Sequence, residues 1–353
     1  MSSLHRAAWP ALGAALLFGA STPFAKQLIG QGEGFSYPFL LAGLLYLGSG
    51  LGLTLTRLLR DRGWQAVAMP AHERLWLLGA IGFGGVLGPL LLMVGLSHTS
   101  AASASLLLNL ESVLTALLAW IVFRESTDRR IMTGMALIVL GGAVLAWPSA
   151  DAAASGIGPL ALAGACLAWA IDNNLTRKVS ASDALFVAGS KGLVAGGVNT
   201  ALAFAFGASW PNLPLLATAL VIGFLGYGLS LVLFVLALRS LGTARTGAYF
   251  STAPFVGAAI SILIFGEPTG LSFWLAAAFM TGGVWLHLTE RHAHAHEHTE
   301  LLRTHRHRHD AHHQHSHAFN WDGAEPHTHA HHHEAIRHSH AHFPDIHHRH
   351  GHP

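Results

Sequence analysis

The sequence predicts an all-α membrane protein of ten transmembrane helices, arranged as two inverted five-helix repeats and followed by a disordered His-rich tail. Three observations predict it. Apolar residues make up 52% of the chain and Asp, Glu, Lys and Arg together 11%, a balance that spans a bilayer and cannot cover a soluble surface. Apolar runs of about twenty residues recur, separated by short polar or Gly/Pro-rich breaks. The chain also repeats itself: Gly95 to Glu125 aligns without a gap on Ala237 to Glu267.

The first run, near 9–29, follows MSSLHRAAWP. It is long, lacks a clean small-residue cleavage site and precedes further spans, so it reads as the first helix and not as a cleaved leader. Four more runs lie near 36–56, 74–95, 101–123 and 130–147. The second set lies near 157–177, 184–206, 214–238, 246–265 and 270–288. Backbone groups in hydrocarbon must bond within their own segment, which makes each run a helix. In the repeat, Glu111 falls on Ala253, Ser112 on Pro254 and Glu125 on Glu267. The first helices of the two sets also align, Gly13–Ser21 on Gly164–Asp172, with Lys26 on Arg177.

Orientation follows from positive charge. Arg57, Arg60, Arg62 and Arg74 lie between helices 2 and 3, and Arg124, Arg129 and Arg130 between 4 and 5. Arg177 and Lys178 lie between 6 and 7, and Arg239 and Arg245 between 8 and 9. The alternate connections hold almost none, Lys26 being the main exception. The basic loops and both termini are therefore expected to be cytoplasmic, in a multi-pass membrane protein. An odd number of helices per repeat turns the second half upside down, as in many secondary transporters.

Pro23, Pro89 and Pro254 fall within helices 1, 3 and 9, where a proline frees carbonyls that can line a cavity or merely kinks the helix. Gly192-x-x-x-Gly196 and the Gly82–Gly88 cluster read as close-packing surfaces. Ionisable residues at membrane depth are costly and mark function by default. The candidate transport and substrate pathway is Glu111, Asp172, Asn173, Lys191, Asn109 and Pro254. Glu111 or Asp172 would load and release a proton, whereas the plain reading is an ion pair of Lys191 with either carboxylate. Lys26 reads as snorkelling to the interface. Glu125 and Glu267 read as helix-end caps or partners of loop arginines, and Asn199 as a bond to a neighbouring helix. Cys166 is the single cysteine, so no disulfide framework exists. No phosphate loop, nucleophile elbow or His-Glu-x-x-His occurs, so neither an enzyme nor an ATP-driven pump is expected.

Several of these motifs together resemble the EamA-type branch of the drug/metabolite transporter superfamily. They are His98–Ser105 at the start of helix 4, Leu110-Glu111 before a Thr-Ala-Leu-Leu-Ala-Trp run, Glu125, Gly141-Gly142, Ala253-Pro254-Phe255 and Gly266-Glu267-Pro268. The family pattern has a proline after the glutamate of helix 4, where this chain has Ser112. The resemblance divides the chain into a first repeat, 8–148, a second repeat, 156–289, and the tail, 291–353. It implies a ten-helix inner-membrane transporter, often an exporter of small metabolites.

The tail departs from that family. It holds 23 of the 27 histidines, interleaved with charged and aromatic residues. With too few apolar residues for a core, it is expected to be disordered. Neutral imidazole is a common ligand of zinc, nickel, cobalt and copper. The candidate ligands are His292, His294, His296, His298, His305, His307, His309, His312, His313, His315, His317, His327, His329, His331, His332 and His333. No cofactor is required by this reading. The expected partners are the lipid bilayer, a small-molecule substrate and transition-metal ions; nucleic acid is not one, and a homodimer stays open. Three functions follow, in order: a secondary transporter, an exporter of small metabolites; an exporter of zinc, nickel or cobalt; and a non-transporting membrane metal sensor.

Overall fold

The computed structural model describes residues 3–29, 37–63, 71–123, 129–147, 156–179, 182–289, 293–298, 301–307, 327–333 and 336–341. The chain divides into two units, one built on Met1–Glu290 and one on Arg291–Phe343.

The first unit is helical throughout. In order come α1 (Ser3–Leu28), α2 (Pro38–Arg60), α3 (Ala71–Ala80), a π-helical segment (Ile81–Leu87), α4 (Gly88–His98), α5 (Ala101–Leu107), α6 (Leu110–Phe123) and α7 (Arg129–Ala146). Then follow α8 (Ile157–Val179), α9 (Ala184–Ala205), α10 (Leu213–Ile222), a second π-helical segment (Gly223–Leu229), α11 (Ser230–Phe250), α12 (Ala253–Leu263) and α13 (Leu271–Leu288). Among the described residues, eight helical stretches are long and apolar enough to cross a membrane. Two further long helices, α1 and α8, fall outside that set, and both are more polar. α8 carries Asp172, Asn173, Asn174, Arg177 and Lys178, and α1 carries Lys26 with Ser21 and Thr22.

Exchanging the halves preserves the main helix pairings. α2 lies along α9, and α7 along α13. α1 packs on α11 and α12, as α8 packs on α4 and α6. Glycines permit the closest approach. A Cβ on Gly192 would run into the Gly50 nitrogen, and one on Gly196 would stand 2.5 Å from the Leu47 nitrogen. The Gly192-x-x-x-Gly196 surface therefore joins α9 to α2.

The helices are interrupted at matched places. The π-helical segments begin at Ile81 and Gly223, the same 142-residue spacing that relates Glu125 to Glu267. A second break separates α5 from α6 at Leu108–Asn109, and its counterpart separates α11 from α12 at Ser251–Thr252. Pro89 follows the first π segment and Pro254 follows the second break, but their counterparts are Leu231 and Ser112. Each kind of break thus forms once with a proline and once without. At Ser112 the hydroxyl donates to the Asn109 carbonyl at 2.8 Å, taking up an acceptor that the break exposes. Pro23 lies inside α1, which continues through it.

One boundary differs from the sequence reading. The stretch 239–245, expected as a basic loop, keeps helical backbone, and α11 runs through it. Arginine is a good helix former, so charge alone does not end a helix.

In the second unit, β1 (Ala293–His298) pairs antiparallel with β4 (Ile336–Ala341), and β2 (Leu301–His307) with β3 (His327–His333). The sequence leads to an expectation of disorder here; the described backbone forms two short ladders. Alternation of histidine with other residues has the two-residue period of a strand, and ladder bonding satisfies the backbone without a core.

Candidate functional site

The π-helical segment Ile81–Leu87 places two carbonyls out of register with the normal helical ladder, a common consequence of such bulges at functional sites. Three side chains take them up. Tyr46 donates to the Gly84 carbonyl at 2.7 Å, Trp169 Nε1 to the same carbonyl at 3.0 Å, and Asn199 Nδ2 to the Gly85 carbonyl at 3.1 Å. Gly84 has no room for a side chain, since a Cβ there would overlap the Asp172 carboxylate. The segment thereby brings α8 and α9 close enough to set Asp172 against Lys191.

That pair is buried, with Lys191 2% and Asp172 6% exposed. Lys191 Nζ donates to Asp172 Oδ1 at 2.6 Å, to Oδ2 at 2.7 Å and to Thr176 Oγ1 at 3.2 Å. Thr176 in turn donates to Asp172 Oδ1 at 2.8 Å. The first repeat supplies Glu111 from the opening turn of α6, just past the break. A carboxylate suits a helix N-terminus, where amide N–H groups lack partners. One Glu111 oxygen accepts from Asn173 Nδ2 at 2.8 Å, and the same amide lies 3.4 Å from Thr115 Oγ1.

These groups line one cavity between the repeats. Its polar end holds Glu111, Asp172, Asn173 and Lys191. The rest of the wall is mostly aromatic, with Phe18, Tyr46, Trp169, Tyr227, Phe234 and Phe250 beside Gly226, Ser230 and Leu231. The rings form a connected set, with centroids 5.3 Å apart for Phe18 and Phe250, 5.7 Å for Phe18 and Trp169, and 5.4 Å for Tyr46 and Tyr227.

Four of the six pathway residues named from the sequence thus meet in this cavity. The other two, Asn109 and Pro254, stand at the paired helix breaks and not in its lining. Asn109 donates to the Leu106 carbonyl at 3.1 Å, an intrahelical bond. Lys26 donates to the Leu96 carbonyl. Glu267 caps α5, accepting from the Ala101 and Ala102 amides at 3.0 and 2.7 Å. Glu125 lies outside the described residues, as do His292, His309, His312, His313, His315 and His317. Of the other tail histidines named above, only the backbone is described. The sequence reading missed the aromatic wall and Thr176. The positions of Ser21 and Asp172 in the repeat held a usable signal, because Gly226 packs on Ser21 as Gly84 packs on Asp172.

Outside the membrane-spanning segments, Asp183 caps α9 through Leu185 and Phe186 amides at 2.8 and 3.1 Å and pairs with Arg60 at 2.5 Å. Partial burial opposes its charge, but the Arg60 bond and the two amides prevail and hold its carboxyl below the usual range.

Comparison with known proteins agrees with this architecture. A curated protein of Methanothermobacter thermautotrophicus named "Uncharacterized transporter" is 27% identical over 291 residues, covering 77% of this chain and 83% of that protein. A solved crystal structure overlays with a TM-score of 0.61 at 17% identity, covering 80% of this chain and 95% of that one, which shows a shared fold. The pattern of the EamA-like transporter family matches residues 5–147 and again 156–289. A repeated match over most of the chain, on helices that cross a membrane and enclose a polar cavity, identifies this multi-pass membrane protein as a member of the EamA-like transporter family.

Proposed function

We propose that the chain is a secondary active transporter that exports small metabolites across the inner membrane by alternating access, exchanging them for protons. α1 and α8 complete a set of ten spans, and five helices per repeat make the repeats inverted, with the basic loops and both termini cytoplasmic. The observation that carries this reading is the cavity. Its carboxylates come from both repeats, Glu111 from one and Asp172 from the other, so rocking the halves changes what faces each carboxylate. Glu111 is the proton site. The titratable and charged groups near it are Asp172 and Lys191, with Tyr46 further round the wall and the Cys166 thiol buried outside the lining.

The tail histidines serve as a cytoplasmic buffer for zinc, nickel, cobalt or copper. Metal export through the cavity is the weaker reading. Among the described residues no three His, Cys, Asp or Glu side chains stand close enough to hold an ion.

Vesicles containing the purified protein test the transport reading. A pH gradient drives solute movement in the full-length chain and in a chain stopped after Glu290, and Glu111→Gln abolishes it. Gradient-driven transport that survives Glu111→Gln in folded protein overturns the proton role. In cells, internal zinc, nickel or cobalt lowered only by the full-length chain moves metal export to first place.

A further inference from the structure

The cavity's hydrogen-bond inventory identifies the kind of molecule it takes. Its donors are nearly exhausted. An ammonium has three N–H groups, and Lys191 directs them at Asp172 Oδ1, Asp172 Oδ2 and Thr176 Oγ1. Asn173 has two, placed at Glu111 and Thr115. Trp169 has one, given to the Gly84 carbonyl, and the Tyr46 hydroxyl gives its own to the same atom. Ser230 donates to the Ala14 carbonyl at 2.9 Å. The Tyr227 hydroxyl, on a side chain only 6% exposed, stands beside Ser21 but meets no acceptor in hydrogen-bond geometry. A substrate carboxylate or phosphate would find that single neutral donor and no spare cation among the described residues.

Acceptors are in surplus. Glu111 lines the cavity with a carboxylate whose described hydrogen bond is the one from Asn173, a neutral amide. Asp172 is matched by Lys191, so whenever Glu111 is ionised the lining as a whole carries one excess negative charge. Around that charge stand six aromatic rings, whose faces attract cations most strongly where water is excluded.

We propose that this cavity binds a monovalent organic cation, an amine or quaternary ammonium on an apolar body, with its charge at Glu111 and its body against Phe18, Phe234 and Phe250. The proposal rests on the transport reading above for its purpose, though its binding test does not. It places the exchanged proton and the bound cation on one carboxylate, so that each displaces the other.

Three probes share a phenyl ring and differ in charge: phenethylamine, phenylalanine and phenylpropionate. Calorimetric titration of the full-length protein in detergent should show phenethylamine binding at least roughly tenfold more tightly than either other probe, a factor within reach of a cation over desolvated rings. Glu111→Gln should erase that preference and Glu111→Asp should keep it. Phe250→Ala should weaken phenethylamine more than it weakens phenylpropionate. Equal or tighter binding of phenylalanine or phenylpropionate overturns the proposal, as does binding of none of the three. Selective amine binding with no movement under a pH gradient counts against the transport reading alone. Gradient-driven transport of phenylalanine with no amine preference counts against this proposal alone.

Discussion

Replacing Lys191 by methionine removes one half of a buried ion pair and keeps nearly the same volume. Lys191 is 2% exposed and both oxygens of Asp172 lie within 2.7 Å of its ammonium, so little water screens what remains. An uncompensated buried charge costs about 3–5 kcal/mol. For a protein of this size each kcal/mol lowers the melting temperature by about 2–4 °C, so Lys191→Met should fall by roughly 6–20 °C. Asp172→Asn leaves the ammonium stranded and should fall comparably. The double variant, Asp172→Asn with Lys191→Met, removes both charges and should recover most of the loss, a coupling of about 2 kcal/mol or more. Tryptophan fluorescence during thermal unfolding in detergent measures all four proteins. Two small single effects that simply add in the double variant would refute the claim that the pair is a coupled element. The double variant also separates support from transport. We expect it to fold but to lose gradient-driven transport, whereas wild-type transport would make the pair a brace between α8 and α9 only.

Other changes test other parts of the fold. Gly192→Ala drives a methyl into the Gly50 backbone and should cost about 1–3 kcal/mol of stability, read by the same melt. Ser112→Pro should fold and transport, because the break it would impose already exists and proline is tolerated in a first turn. Asp183→Ala loses the α9 cap and should cost about 1 kcal/mol. Because the Asp183 pKa is depressed in the folded state, its stabilisation is complete above its unfolded value of about 4 and is lost as pH falls through the folded value. The melting gap between wild type and Asp183→Ala should therefore close only in acid. A gap that widens in acid would contradict the Arg60 pairing.

The spans and the cavity carboxylates were legible because hydrocarbon penalises charge: Glu111, Asp172 and Lys191 stand out against their neighbours. The cavity's aromatic wall was not legible, because an aromatic side chain in a membrane helix looks the same in sequence whichever way it faces. Trp9 and Trp147 are 65% and 79% exposed, whereas Trp169 is 5% exposed and bonded to a backbone carbonyl. The π-helical segments were hidden for a related reason. Ile81–Leu87 reads IGFGGVL and its counterpart GFLGYGL, and only Gly84 and Gly226 coincide as glycine in the repeat. What the two segments share is a close approach, to Asp172 in one case and Ser21 in the other, and that appears only when the helices are packed.

The two halves therefore agree in scaffold and differ in chemistry. Gly84 against Asp172 has its image in Gly226 against Ser21, and Glu111 has its image in Ala253. The breaks persist in both halves even where Leu231 and Ser112 replace proline, so they belong to the packing and not to one residue. The charges are confined to one side of the symmetry. A symmetric scaffold can rock between two equivalent packings with little difference in energy, because whatever packing one half gives up, its image in the other half takes on. On the proposed alternating-access mechanism, a single set of charges has one location in both states, and what changes is the side from which it is reached. Had both Ser21 and Ala253 been acidic, the protein would hold two more buried carboxylates with no added cation. Each would cost several kcal/mol unless protonated, which would favour leaving the site empty or closed over a counterion. Installing one such charge, with Ala253→Glu, tests this. The variant should melt lower than wild type at neutral pH and regain stability in acid as the added carboxyl protonates. A variant equally stable at both would show that the added carboxyl already meets a compensating cation there.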